Sequence, residues 1–145
     1  MSQNNDYEML KLDNQLCFPL YACSKEIIKR YKPFLDKIDL TYTQYLAMMV
    51  LWEHNNMNVK ELGDKLFLDS GTLTPLLKKL EEKQYITRER SKTDERSVIV
   101  TITEKGLNLR DDAKLIPAEM GRCVNLPAED AASLYRILRQ LMTVL

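Results

Sequence analysis

A mainly α-helical chain with a small β-wing is the fold class that the sequence predicts, and three observations predict it. Leu73, Leu76, Leu77 and Leu80 recur at the three-and-four spacing of one helix face, behind Asp69 and Ser70, whose side-chain oxygens suit an N-cap. After Tyr85 the period changes, and Ile86–Arg90 and Ser97–Ile102 become short segments with β-branched residues joined by the polar turn Ser91–Arg96. Ahead of both, Val59–Leu66 supplies a first helix, and Leu68–Ser70 supplies the turn into the second. Helix, turn, helix and basic hairpin in that order describe a winged helix-turn-helix. It is expected over residues 41–103, with flanking helical regions at 1–40 and 104–145.

The face of the second helix opposite its leucines carries Ser70, Thr72, Thr74, Lys78 and Lys79. Short hydroxyls followed by ammonium groups are what a helix needs in a DNA major groove, hydroxyls at base edges and cations at phosphates. Pro75 is tolerable there only because it falls early in the helix. Arg88 and Arg90 in the first strand, with Lys92 and Arg96 in the turn, make the hairpin basic. Taken alone, Leu73–Leu80 reads as an ordinary amphipathic helix, and the order of the surrounding elements shifts the balance to DNA.

The totals exclude several classes. At 145 residues, 45% hydrophobic and 29% charged, the chain has the size and composition of one globular domain with a real core. No apolar run is long enough to cross a membrane, and the N-terminus MSQNNDYEML is polar rather than a signal peptide, so a cytoplasmic protein is expected. Net charge is zero, and residues 58–102 hold nine Lys and Arg against eight Asp and Glu. DNA affinity must then come from where charge is placed, which suits a specific dimeric repressor better than an architectural protein. Three cysteines, one histidine (His54) and no CxxC make a zinc site or other metal site unexpected, and in a reducing compartment buried thiols are the default, Cys23 among them.

In chain order, residues 1–10 read as a loose polar arm. Leu12, Leu16, Leu20, Ile27 and Tyr31 then share one face of a helix over Leu12–Tyr31, with Asp13 or Asn14 as its cap. Cys17 falls near its start, where the helix dipole favours an anion such as a thiolate, and Tyr21 lies over the same face. Pro19 is comfortable only near a helix start, and Tyr31-Lys32-Pro33 is expected to end or bend the helix before a short segment, Phe34–Ile38. Thr41 or Thr43 can cap Gln44–His54, with Tyr45, Met48, Met49 and Trp52 in the core and His54 facing solvent. Asn55–Asn58 reads as a loop. Thr103–Gly106 begins a long helix to about Leu115, interrupted at Pro117, and a final helix opens with Pro127 in its first position. Its Leu134, Ile137, Leu138, Leu141, Val144 and Leu145, together with the Leu12–Tyr31 helix, suggest a homodimer interface, the alternative being packing on the chain's own core.

Three stretches carry a resemblance: DNQLCFPLYACSKEI at 13–27, YKPFLDKIDLTYTQYLAMMVLWE at 31–53, and LDSGTLTPLLKKLEEKQYITRERSKTDERSVIVTITEKG at 68–106. Together they resemble the MarR family of winged-helix regulators, and within it the organic hydroperoxide resistance (OhrR) branch, over nearly the whole chain. The resemblance implies that Cys17 is a peroxide-sensing cysteine, and that Tyr31 and Tyr42 hydrogen-bond its sulfur from the other subunit, with Tyr21 nearby. It implies that Asp69 to Lys79 form the recognition helix, and that Asp94 and Arg96 form the wing tip. Members with two cysteines resolve the oxidised sulfur through a disulfide near the C-terminal helices of the other subunit, where Cys123 lies; one-cysteine members use a small thiol. The implied function is a homodimeric redox-sensing repressor that binds double-stranded operator DNA when reduced and is released by an organic hydroperoxide, with no cofactor, metal or membrane. Two other readings compete: a regulator responding to a reversible phenolic ligand, and a thiol peroxidase enzyme, for which no thioredoxin-like βαβ pattern is seen.

Overall fold

The computed structural model describes residues 6–145; residues 1–5 of the expected arm lie outside them. The rest of the arm is not loose. Two short 3-10 turns, Glu8–Leu10 and Leu12–Asn14, are tied down by Asn14 Nδ2 donating to Glu8 O (2.7 Å) and Gln15 Nε2 donating to Met9 O (2.6 Å).

Helix α1 spans Cys17–Asp36, so it begins five residues later than expected, and its N-cap position is Leu16, which offers no side-chain acceptor. Pro19 sits in its first turn, where a missing N–H removes no intrahelical bond. Pro33 does not end the helix. The bond that Lys29 O loses is offset by continued packing, since Leu35, Ile38 and Leu40 just beyond are all buried in the core. Helix α2, Tyr42–His54, starts at a complete capping box: Gln44 N donates to Thr41 Oγ1 (3.3 Å) and Thr41 N donates to Gln44 Oε1 (3.0 Å).

Asn56–Asn58, expected as a loop, is strand β1. Helices α3 (Val59–Leu66) and α4 (Ser70–Glu82) follow, then strands β2 (Ile86–Arg90) and β3 (Val98–Ile102). The sheet order is β1-β3-β2, antiparallel, with Met57 opposite Val100 and Arg88 opposite Val100 on the other side. The edge of β3 supplies the pairing that recruits β1, a segment whose own residues have little strand preference. Phe67, in the turn between α3 and α4, is left-handed (φ 56°), and Leu68 N closes the turn on Gly63 O at 2.9 Å. A Cβ on Gly63 would stand 2.9 Å from Leu68 O and 3.3 Å from Leu73 Cδ2, so this glycine lets the two helices meet.

The expected long helix after Thr103 is three pieces, α5 (Glu104–Asn108), α6 (Arg110–Ala113) and α7 (Ile116–Cys123). Thr103 caps the first of them, accepting from Gly106 N at 3.0 Å, and Pro117 lies in the first turn of the last. Helix α8, Ala128–Val144, follows Pro127, which occupies the N-cap position rather than the first helical one. One apolar cluster runs from Leu35 through α2, α3, α4, Ile86 and Val100 to Leu109, Ile116 and Met120. The architecture is a winged helix-turn-helix with helices before and after it. No helix among the described residues is long and apolar enough to cross a membrane.

Candidate nucleic-acid interface and thiol site

The four leucines of α4 are all buried, and Leu80 is fully so, which turns the opposite face outward. Ser70, Thr72, Thr74, Lys78 and Lys79 are exposed on it. Asp69 is the N-cap: its Oδ1 accepts from Thr72 N at 2.7 Å, and that backbone donor holds its carboxyl below the ordinary value. Pro75 is the sixth residue of the helix, beyond the first turn, and it leaves Gly71 O without its usual donor.

The wing carries the other expected residues, and they divide. Arg88 is not free: its Nη2 donates to Glu81 Oε1 (3.1 Å) and its backbone N to Glu81 Oε2 (3.0 Å), clamping β2 to the end of α4. The Arg88 side-chain bond is the main reason the Glu81 carboxyl titrates below its ordinary value. Arg90 donates to Glu95 O at 3.4 Å, within the hairpin. Asp94 shapes the tip, where its Oδ1 accepts from Arg96 N (3.0 Å) and its Oδ2 from Ser97 Oγ (3.4 Å). Lys92 and Arg96 are exposed. Among the described residues, no carboxylate lies within 4.0 Å of Lys78, Lys79, Lys92 or Arg96, which leaves these cations to an outside anion. Between α3, α4 and the wing lies a cleft of about 610 Å³, whose walls include Lys60, Thr74 and Arg96. Lys60 was not foreseen; its only signal was its place beside the cap residue Asn58, whose Oδ1 accepts from Lys60 N at 2.8 Å.

Cys17 is the first residue of α1 and is exposed. Around it Leu16 (83% exposed), Phe18, Leu20 and Tyr21 (63%) have little cover from their own chain. Cys23 is also exposed, against the expectation of a buried thiol, because that stretch of α1 does not touch the core. Cys123 is exposed at the end of α7. Cys17 and Tyr31 lie 14 residues apart on one continuous helix, which separates them by about 21 Å of axial rise. No side chain spans that distance, so one chain cannot bring the thiol to this tyrosine.

The tyrosines do meet each other. Ring centroids of Tyr31 and Tyr42 are 4.8 Å apart, Tyr31 and Tyr45 5.9 Å, and Tyr45 and Trp52 6.3 Å. Burial raises the hydroxyl of Tyr31, with the neighbouring Tyr42 adding to it, and burial alone raises Tyr42. Tyr45 is pushed up to about 12, by burial first and then by the other two rings. These phenols therefore stay protonated and able to donate. Tyr21, by contrast, projects from α1 with Lys25 Nζ 5.9 Å above its ring. Met49, expected in the core, is on the surface beside Tyr45 and Trp52. Trp52 donates its indole N–H to Gly106 O at 2.8 Å, a contact across 54 residues that nothing local in the sequence signals.

Residues 29–113, more than half of the chain, match the pattern described as the transcriptional regulator SarA/Rot family. The chain belongs to that family. This SarA/Rot member is also 48% identical over 141 residues to the organic hydroperoxide resistance transcriptional regulator of Bacillus subtilis, covering 97% of this chain and 94% of the relative. The kinship read from the three sequence stretches therefore holds, and the relatives are transcriptional regulators rather than enzymes. Among solved structures, the reduced form of AbfR bound to DNA is 33% identical with a TM-score of 0.78, covering 95% of this chain and 96% of that one. The disulfide-formed AbfR is 32% identical with a TM-score of 0.61, covering 99% and 96%. AbfR is a protein of Staphylococcus epidermidis.

Proposed function

We propose that this SarA/Rot family member is a redox-sensing repressor that binds operator DNA as a homodimer and lets go when an organic hydroperoxide oxidises Cys17. The observation that carries this reading is the exposed Cys17 at the first position of α1, set in an apolar helix face that its own chain leaves uncovered. Its relatives add to it: one is an organic hydroperoxide resistance regulator, and AbfR has reduced DNA-bound and disulfide forms.

On this reading residues 1–40 and 104–145 form the dimerisation region. Helix α8 buries none of its residues within one chain, and its exposed Leu134, Ile137, Leu141 and Met142 suit a second copy. A second copy also supplies what one chain cannot, namely Tyr31 and Tyr42 of one subunit facing Cys17 of the other, with Tyr21 at the edge. Residues 41–103 read DNA: Ser70, Thr72 and Thr74 at base edges, Lys78 and Lys79 at phosphates, and Lys92 and Arg96 of the wing in the adjoining minor groove. Asp69 and Asp94 act by shaping backbone, and Arg88 and Arg90 by holding the wing.

The chemistry is a two-electron oxidation. The Cys17 thiolate attacks one peroxide oxygen, the O–O bond breaks, and the alkoxide leaves and takes a proton to become an alcohol. The resulting sulfenic acid is attacked by the Cys123 thiolate of the other subunit, an S–S bond forms, and hydroxide leaves as water. A bond across the dimer changes the spacing of the two α4 helices, so half-sites one turn apart are no longer matched.

The test is a duplex selected from a random pool with the reduced protein, then titrated before and after one equivalent of cumene hydroperoxide. Non-reducing gels of wild type, Cys17→Ser and Cys123→Ser accompany it. Wild type is expected to release the duplex and form a dimer-sized band that needs both cysteines. Release that needs Cys17 without a crosslink would replace Cys123 by a small thiol. Release by a phenolic acid in Cys17→Ser would overturn the redox reading.

A further inference from the structure

Trp52 is the only tryptophan of the chain, and its single N–H is committed to one acceptor, Gly106 O at 2.8 Å. On one side the indole touches the tyrosines. Tyr42, Tyr45 and Trp52 share a face of α2, and the rings follow one another in contact from Tyr42 through Tyr31 and Tyr45 to Trp52. On the other side stands the base of the wing. Gly106 lies so close to the chain that a Cβ on it would be 2.2 Å from Tyr85 O and 3.0 Å from Ile102 Cγ1. Tyr85 directly precedes β2, and Thr103 directly follows β3. Those two ends are stitched by Thr103 N donating to Tyr85 O (3.0 Å) and Thr103 Oγ1 donating to Gln84 O (2.7 Å). The Glu81–Arg88 clamp then fixes the wing to α4.

We propose that Trp52 is a positioning residue that passes the arrangement of the tyrosine cluster to the wing through its indole N–H and Gly106. This deepens the redox reading above and rests on it. Gly106 itself is packed too tightly against Tyr85 and Ile102 to absorb a displacement handed on by the indole, since packed interiors shift between discrete arrangements rather than compress. A change at Tyr31 and Tyr42 is thus met at Trp52 by either moving Gly106, and the wing base with it, or breaking the indole bond. Both outcomes alter the environment of the only tryptophan.

Two measurements on the full-length dimer test this. The emission of Trp52 in wild type is expected to change with one equivalent of cumene hydroperoxide, in step with loss of operator duplex, and to stay constant in Cys17→Ser. Trp52→Phe keeps a ring against Tyr45 and removes the donor. Its reduced form is expected to bind the duplex nearly as wild type does, while the ratio of oxidised to reduced Kd shrinks by about fivefold or more. Silent emission in a wild-type protein that does release DNA would overturn the proposal and leave the redox reading standing. So would a Trp52→Phe protein with the full wild-type ratio. Should Trp52→Phe fail to fold, the wild-type emission decides. A wild type whose DNA affinity ignores the oxidant removes both readings.

Discussion

Helix α4 with its wing and helix α8 with the start of α1 are both amphipathic helical units, yet they stand at opposite extremes. The first finishes its business within one chain: four leucines buried, a cap made by Asp69, and a strand clamped by Glu81 and Arg88. The second presents comparable apolar residues that its own chain leaves largely uncovered, and α8 buries none of its own. The difference teaches that the helix-turn-helix with its wing is a prefabricated part, whereas the thiol-bearing part, on the proposed reading, is completed only by a second copy.

The comparison breaks most visibly with paired truncations. Leu80→Ala, at a position with no exposure, is expected to cost about 3–4 kcal/mol, seen as a lower urea midpoint at every protein concentration. Ile137→Ala in α8 is expected to leave the midpoint of the dilute protein unchanged and to lower it only where dimers form. Equal, concentration-independent losses would erase the distinction.

Alkaline pH gives a smaller and sharper contrast. The Tyr45 hydroxyl is raised from its ordinary 10.0 to about 12, so its stabilising share is whole below pH 10 and is lost as pH rises from 10 toward 12. That share is about 3 kcal/mol, and Tyr31 and Tyr42 shift in the same direction. Stability from urea unfolding is expected to fall steeply in that window for wild type and less so for Tyr45→Phe. The smallest effect belongs to a cap. Thr41→Ala removes half of the α2 capping box and is expected to lower stability by about 1 kcal/mol, measured by urea unfolding, with no change in the dimer equilibrium.

Legibility in the sequence follows the same division. Val59–Leu66 and the leucines of α4 were readable because periodic burial and Asx capping are local signals. The hairpin was readable because β-branched residues flank a polar turn. Strand β1 was not, because Asn-Met-Asn has no strand character until β3 offers its edge. Pro33 misled, since a proline's local cost is outweighed by the burial of Leu35 two residues on. Met49 and Cys23 misled in the opposite direction: an apolar or thiol side chain does not say whether a neighbour arrives to cover it. Pairings that cross between elements, such as Trp52 with Gly106 and Arg88 with Glu81 around the turn, left no trace in spacing. For the site itself, resemblance put Cys17 beside Tyr31 and Tyr42, while the length of α1 keeps Cys17 and Tyr31 apart within one chain.

That separation of about 21 Å along α1 has a genetic corollary on the proposed reading. Each dimer holds two sensing centres, and each centre borrows its thiol from one gene product and its phenols from the other. An allele lacking Cys17 and an allele lacking Tyr31 and Tyr42 are each inert alone. Coexpressed, they assemble mixed dimers in which one centre is doubly defective and the other is wholly wild type. Two null alleles of the same gene would thus complement each other, and the cell carrying both would regain one working centre in about half of its dimers.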